Sequence, residues 1–533
     1  MPNDCITYQN SGYFSRLIVD YLDQKAELKS LYNRFPTLEN FSKQMYEKDS
    51  NFHNTFNDKR KTLAQSLEIQ YTNFEISELT KNNIELLKDS KTFTITTGHQ
   101  LNLFTGPLYF LYKIVSAINL TKELKIAYPE NNFVPVYWMA TEDHDFDEIN
   151  YFNFKNKKVR WNRESFGPVG RLSTTGLQEV FEAFSKELGL GTNADFIRDL
   201  FKKSYLEHSN LADATRFLAN ELFKNEGLVI LDGDDLELKK LFIPYAKEEL
   251  LDQTSFKTVN ETLPLLEKYN VQVNPREINL FYIQDNLRER IIFEDNLYKV
   301  NNTKMTFSES EILVELENNP ENFSPNVILR PLYQEVILPN LCYIGGGGEI
   351  AYWLELKSNF DANNVTFPML LVRNSVLLAT EKQAAKLDKL ALNWEDIFLS
   401  QQALVDKKTN ELSNFTIDFS AQKEVLRKQF EALLQIANQT DKSFIGAVKA
   451  QEAKQIKGLN HLEKRLLKAE RKNHADQLER IITLQNELFP NKGLQERQVN
   501  FSVFYSEFGA SLITSLLEEL KPLEQEFKVV VLK

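Results

Sequence analysis

The stretch from Thr92 to Ala140 constrains the fold more than any other part of the chain. Thr92-Phe93-Thr94-Ile95-Thr96-Thr97 is β-branched and aromatic, so it reads as a strand that Gly98 ends. A strong helical pattern runs over about residues 107–125, beginning at Pro107, where a proline's missing N–H would have had no intrahelical partner. Phe133 to Ala140 is a second apolar run, short enough for a buried strand. Strand, helix and strand within about 50 residues predict a βαβ unit and a parallel sheet. Gly227–Gly233 and Pro368–Arg373 read as further core strands. The expected class is α/β.

The remaining segments attach to that core. Residues 1–90 are expected to be mainly amphipathic helix, with Phe14, Leu17, Ile18, Tyr21 and Leu22 at helical spacing. The core itself is expected over 91–376, with insertions at about 155–225 and 235–325. The first insertion carries helical patterns around 177–190 and 194–223, while 277–300 alternates like a hairpin. Residues 377–493 are charged and helical. Leu459, Leu462, Leu466 and Ala469 follow 3-4-3 spacing, and Ala475, Leu478, Ile482 and Gln485 repeat it with an offset. That seam predicts a long antiparallel coiled-coil hairpin with a register shift, an ordinary helical bundle being the alternative. Residues 494–533 are expected to return to the core, with Lys528–Leu532 as a short edge-like strand.

Composition narrows the function classes. A net charge of -12 argues against sequence-blind nucleic-acid binding, which needs a basic footprint. Two cysteines, Cys5 and Cys342, give no disulfide framework and fit a reducing compartment. No apolar window long enough for a membrane span and no signal-peptide pattern is visible, so a cytoplasmic protein is expected. No Cys/His pattern suggests a structural metal.

Three regions carry groups suited to chemistry. In the first, Gly98 lets a ligand approach the backbone where a strand ends. His99 and Gln100 offer hydrogen bonds, and Thr105-Gly106-Pro107 leads into a helix whose free N–H groups suit an anion. A structural turn is the plain alternative. The second is Glu142-Asp143-His144-Asp145, followed by Asp147 and Glu148. It sits at the carboxyl end of a predicted parallel strand, where ligands bind. Crowded carboxylates around an imidazole suit acid/base work, although a solvated acidic loop has the same pattern. The third joins Asn326, Arg330 and the run Gly345–Gly348 with Glu349. Arg330 suits bidentate grip on a carboxylate or phosphate. Cys342 reads as a small core residue, and His53, His208, His461 and His474 as surface or capping residues in predicted helices.

These residues resemble the bacillithiol synthase family. The resemblance lies in Thr97-Gly98-His99-Gln100 with Leu103–Tyr109, Pro135–Trp138 with Glu142–Phe146, Ser324–Val327 with Leu329-Arg330-Pro331, Gly345–Gly348 with Glu349–Tyr352, and Gln495-Glu496-Arg497. It covers nearly the whole chain. The family often has Gln at the position of His99 and Pro within the glycine run. The resemblance implies a Rossmann-like core with inserted connecting segments, similar to the nucleotide-binding core of class I aminoacyl-tRNA synthetases. It also implies a coiled coil that supports a homodimer. The implied reaction joins L-cysteine through its carboxyl to the amine of glucosaminyl malate, the last step of bacillithiol assembly.

Amide formation from a free carboxylate is uphill in water, so activation is expected, with ATP as the source, ADP among its possible products, and Mg accompanying the nucleotide. His144, Asp143, Asp145 and Glu142 are the expected catalytic group. Gly98, His99, Gln100, Thr105, Gly106, Asn326, Arg330, Arg373, Gly346, Gly347 and Glu349 are the expected binding residues, with Arg330 and then Arg373 as the clamp for malate. A non-catalytic scaffold of the pathway and a sugar-phosphate nucleotidyltransferase or hydrolase are the alternatives.

Overall fold

The computed structural model describes residues 5–53 and 59–533; the side chain of His53 lies outside the described residues. The chain divides into two compact units. One comprises the residues up to Leu378 together with Gly493–Lys533, and the other comprises Ala379–Lys492.

In the first unit, strand β1 (Cys5–Thr7) precedes helices that include Arg16–Leu22 and Leu38–His53. Strand β2 (Thr92–His99), helix Tyr109–Ala127 and strand β3 (Asn132–Met139) form the expected βαβ unit. A small hairpin, β4 (Tyr151–Phe154) and β5 (Lys157–Arg160), follows, and then core strand β6 (Val229–Asp232). Strands β7 (Leu280–Gln284), β8 (Leu287–Glu294), β9 (Leu297–Val300), β10 (Thr306–Phe307) and β11 (Phe323–Pro325) belong to the second insertion. The chain returns to the core as β12 (Asn340–Gly345) and β13 (Met369–Val372), and ends through β14 (Ser375–Thr380) and β15 (Glu526–Leu532).

The core sheet has the order β13-β12-β2-β3-β6 and is parallel throughout. β2 is buried along its whole length, as a strand covered on both faces must be. Phe93, Ile95, Leu120, Leu341, Ile344 and Leu371 join strands and helix in one apolar cluster. Pro135 lies inside β3, yet β6 pairs only with Val136–Met139, so the proline sits where β3 has a neighbour on one side alone. The chain builds β2, β3 and β6 outward in one direction, then crosses back to lay β12 on the other side of β2. The strand order therefore reverses between β2 and β12.

Four sequence expectations need correction. The C-terminal strand β15 is not an edge: it lies between β1 and β14, with Phe527, Val529, Val530 and Leu532 buried. The hairpin at 277–300 is part of a five-stranded antiparallel sheet of order β10-β9-β8-β7-β11. Its β8–β9 turn is Asp295-Asn296, both at positive φ, the conformation that tight hairpin loops demand. The helical pattern at 194–223 is two helices, Thr192–Leu206 and Leu211–Phe223, because Asn210 caps a new start by accepting the N–H of Asp213. His208 lies in this break, where Nδ1 faces the carbonyls of Lys203 and Ser204.

The fourth correction concerns the seam of the second unit. Helices Ser420–Ala437 and Lys442–Asn473 form a hairpin around Phe430, Ala437 and Val448. Leu462 is half exposed and Ala475 exposed. In helix Ala475–Leu488 the buried face is Leu478, Ile481, Leu484, Gln485 and Leu488, with Ile482 at its margin. A helix packed on several neighbours buries a wider stripe than a two-stranded seam.

Candidate active site

In open α/β sheets, ligands bind beyond the carboxyl ends of the strands where strand order reverses. A cavity of about 430 Å³ lies at that place in the first unit. Gly98, His99 and Gln100 enter it from the end of β2, Thr141–Asp143 from the end of β3, and Tyr343 from β12. Arg288 reaches it from the inserted sheet, and Arg497 from the C-terminal segment.

One end of the cavity is cationic. The Lys113 ammonium is buried, 2.6 Å from Glu349 Oε2, and donates to the carbonyl of Gly98 at 2.7 Å. Glu349 also accepts from Tyr343 Oη at 2.8 Å and from the backbone of Gly346 at 2.9 Å. Burial pushes the Glu349 carboxyl up, but Lys113 and these donors outweigh it and hold it below its usual value. Arg373 pairs with buried Glu496 through Nη1 and Nη2, at 3.1 and 2.7 Å.

Arg330 differs. It donates to Gln334 Oε1 and Tyr352 Oη, at 3.3 and 3.0 Å, and pairs with no carboxylate among the described residues. Burial opposes its charge, but Tyr352, Tyr343 and Glu349 outweigh burial and keep the guanidinium protonated. The site thus holds a partly buried cation whose direct hydrogen bonds go only to a hydroxyl and an amide, the arrangement that suits an incoming anion. His99 lines the same end, its ring against Tyr109 and Phe110. Burial, with Lys113 adding to it, holds His99 well below its usual pKa, so it is a neutral imidazole.

The other end is acidic. Asp143 accepts from Gln100 Nε2 at 2.9 Å and from the backbone N–H of His144 at 2.7 Å. Burial pushes its carboxyl up, but hydrogen bonds from His144 and Gln100 and the Arg288 guanidinium hold it far below the usual range. Glu142 behaves oppositely. It is buried with Oε1 at 2.5 Å from Lys239 Nζ, and burial raises its proton affinity despite that partner. Asp232, at the end of β6, accepts from the Thr141 hydroxyl, and burial with nearby Asp234 raises its pKa to about 6. Adjacent carboxylates in one loop therefore differ widely in proton affinity, the usual way acid and base roles are separated.

The structure brings together Gly98, His99, Gln100, Glu142, Asp143, Asn326, Arg330, Gly346, Glu349 and Arg373 around this cavity. It leaves out five expected residues. His144 is half exposed and its Nδ1 lies 2.6 Å from Arg288 Nη1. Asp145 is exposed at the start of the short helix Phe146–Ile149. Thr105 and Gly106 are structural. With Phe104 they form three consecutive positive-φ residues, held by Asn500 Nδ2 donating to the carbonyls of Phe104 and Gly106. Gly347 faces a separate, smaller cavity. Among the described residues, no three His, Cys, Asp or Glu side chains converge as a metal centre.

The expectations missed Lys113, Arg288, Tyr343, Tyr352 and Arg497. Lys113 had a signal: it is the one charge in the apolar run Tyr109–Leu120. Arg288 had none, since a meander far away in sequence delivers it.

Two family models cover the chain. One, described as bacillithiol biosynthesis BshC, N-terminal Rossmann-like domain, matches residues 1–374. The other, described as bacillithiol biosynthesis BshC, C-terminal coiled-coil domain, matches residues 376–532. The chain belongs to the BshC family. A Flavobacterium johnsoniae relative named "Putative cysteine ligase BshC" is 68% identical over 532 residues, all of both chains. Relatives of the same name from Cytophaga hutchinsonii and Bacillus cereus are 38% and 30% identical, over 97% of this chain and 96% and 98% of theirs. The parallel-sheet core and helical hairpin are the Rossmann-like and coiled-coil parts of a BshC protein. Among the described residues, no helix is long and apolar enough to cross a membrane.

Proposed function

We propose that this chain joins L-cysteine, through its carboxyl, to the amine of glucosaminyl malate, as the last step of bacillithiol assembly. The observation that carries the reading is a single cavity with a carboxylate-free Arg330 at one end and ionised Asp143 at the other. A molecule with malate carboxylates and a sugar amine matches both ends. The names of the BshC relatives, cysteine ligases of bacillithiol biosynthesis, point the same way.

Arg330 and Tyr352 hold a malate carboxylate. Asp143 binds the sugar ammonium, and its depressed pKa suits an anchor better than a base. Glu142, raised by burial, takes one proton from that ammonium to free its lone pair, and the amine nitrogen then bonds to the cysteine carbonyl carbon, its second proton leaving with the expelled oxygen group. Loss of a carboxyl oxygen completes the amide. When bound, ATP would supply the leaving group at that oxygen. The neutral His99, whose buried Nε2 has no hydrogen-bond partner, and Arg497, which has no carboxylate partner among the described residues, would form a donor set suited to its phosphates. The second unit supports a homodimer through exposed Val425, Leu433, Ile436 and Phe444 on the hairpin, and light scattering gives the mass that tests it.

The test of the reaction is direct. Purified protein, cysteine, glucosaminyl malate and MgATP should yield a thiol whose mass is the sum of the two substrates less one water. ATP should be consumed in proportion. Absence of that product, with the upstream enzymes and cell extract added, would refute the ligase reading.

A further inference from the structure

A second cavity, of about 170 Å³, lies on the far side of the Gly346–Gly348 turn. It shares four residues with the larger cavity: Gly346, Gly348, Arg373 and Arg497. Its inner wall is apolar, formed by Phe14, Ile18, Ala351 and Val372. Its polar lining comes from Tyr13, Ser15, Gln272, Ser375, Glu496 and the two shared arginines. Drug-sized ligands need about 300 Å³ or more, so the chamber suits one small metabolite, anionic at one end and apolar at the other.

Gly346 and Gly348 line both cavities. A Cβ on Gly346 would stand 3.8 Å from Arg373 Nε, and that buried nitrogen has no hydrogen-bond partner. A Cβ on Gly347 would touch Ile18 Cγ1 at 3.4 Å and Phe14 Cδ1 at 3.5 Å. Glycine here keeps side-chain atoms out of the space between the chambers.

We propose that the small cavity is the amino-acid subsite, taking cysteine with its thiol toward Phe14 and Ile18 and its carboxylate at the rim beside Arg497. The inference rests on the ligase reading and adds where the second substrate sits. Sulfur against an aromatic ring is a favourable contact, and the Gln272 side-chain carbonyl offers an acceptor for the α-ammonium. The carboxyl carbon then faces the larger cavity across the glycine turn, so the new C–N bond forms where the chambers join.

Gly347→Ala and Phe14→Ala test this in the full-length protein. Gly347 does not have a positive φ, and its new methyl would make ordinary van der Waals contacts, so the variant should fold. A methyl group in a chamber this small should raise the KM for cysteine about tenfold or more, with less than about a twofold change in the KM for the amine substrate. Phe14→Ala enlarges the chamber and should let homocysteine serve in place of cysteine. Equilibrium dialysis with radiolabelled cysteine should show the same loss of affinity in Gly347→Ala without turnover. Unchanged cysteine KM and binding in Gly347→Ala, or a rise confined to the amine substrate, would overturn the subsite. If wild type makes no amide, the ligase reading fails by itself. Dialysis still decides the subsite, because wild type that binds no cysteine refutes it.

Discussion

Arg288 Nη1 points at His144 Nδ1 from 2.6 Å. A guanidinium only donates, so Nδ1 must accept and the imidazole carries its proton on Nε2. His144 is thus a prop for the arginine, with Nδ1 already used. His144→Ala should therefore leave kcat within about threefold of wild type, whereas Glu142→Gln should lower it by roughly a hundredfold or more. Asp143→Asn should act mainly on the KM for the amine substrate. Steady-state kinetics of the three variants separates the roles, and a large kcat loss in His144→Ala alone would return the base role to the histidine.

Arg330 hydrogen-bonds to no carboxylate among the described residues, so removing its charge breaks no direct ion pair. Arg330→Met should melt at or slightly above the wild-type temperature. The same change should weaken binding of the dicarboxylate substrate by about 1.5–3 kcal/mol, roughly tenfold to a hundredfold. A thermal melt and a titration calorimetry series check both halves. Parallel loss of stability and binding would mean that Arg330 is structural.

Lys113 gives the contrasting case. Its side chain is 4% exposed and that of Glu349 26%. Lys113→Met leaves Glu349 unpaired and the Gly98 carbonyl without its donor, at a cost of about 3 kcal/mol. Lys113→Met combined with Glu349→Gln should recover much of that, because neither charge then remains. Urea unfolding of the single and double variants reads the difference.

Asp232 sets a pH dependence. Its folded pKa of about 6 lies above the ordinary carboxylate value, so the folded state binds more protons than the unfolded state between them. Stability contributed by this group is present in acid and is lost as pH rises from about 4 to 6, by roughly 1–2 kcal/mol after solvent screening. Asp232→Asn should flatten that decline. Chemical denaturation at pH 4.5 and 7 gives the two stabilities, and an unchanged slope would assign the dependence to other groups.

What could be read in advance followed from how local each signal is. β2, β3 and β6 announce themselves through short apolar runs ending in glycine or acid, and the loops beyond β2 and β3 do line the cavity. β12 was not read as a strand, because its apolar run merges with the residues before it. Thr105 and Gly106 looked like ligand contacts because a strand-to-helix turn and an anion site share a pattern. Only Asn500, far along the chain, shows that the turn is held from within, through the carbonyls of Phe104 and Gly106. Arg288 and Arg497 were illegible for the same reason, since folding carries them across long separations. β15 was misjudged because its Val529-Val530-Val531 run does not alternate cleanly, and nothing local tells whether a strand has one neighbour or two.

That central placing of β15 bears on how the molecule is made. Residues 526–532 emerge after all of 379–492, yet they bridge β1 and β14. Until then β1 has no sheet to join, and the ribosome holds a nearly complete core with a missing slat. The segment 379–492 is therefore made between two parts of one folding unit, and the longest-range contacts of that sheet close only once β15 has been made.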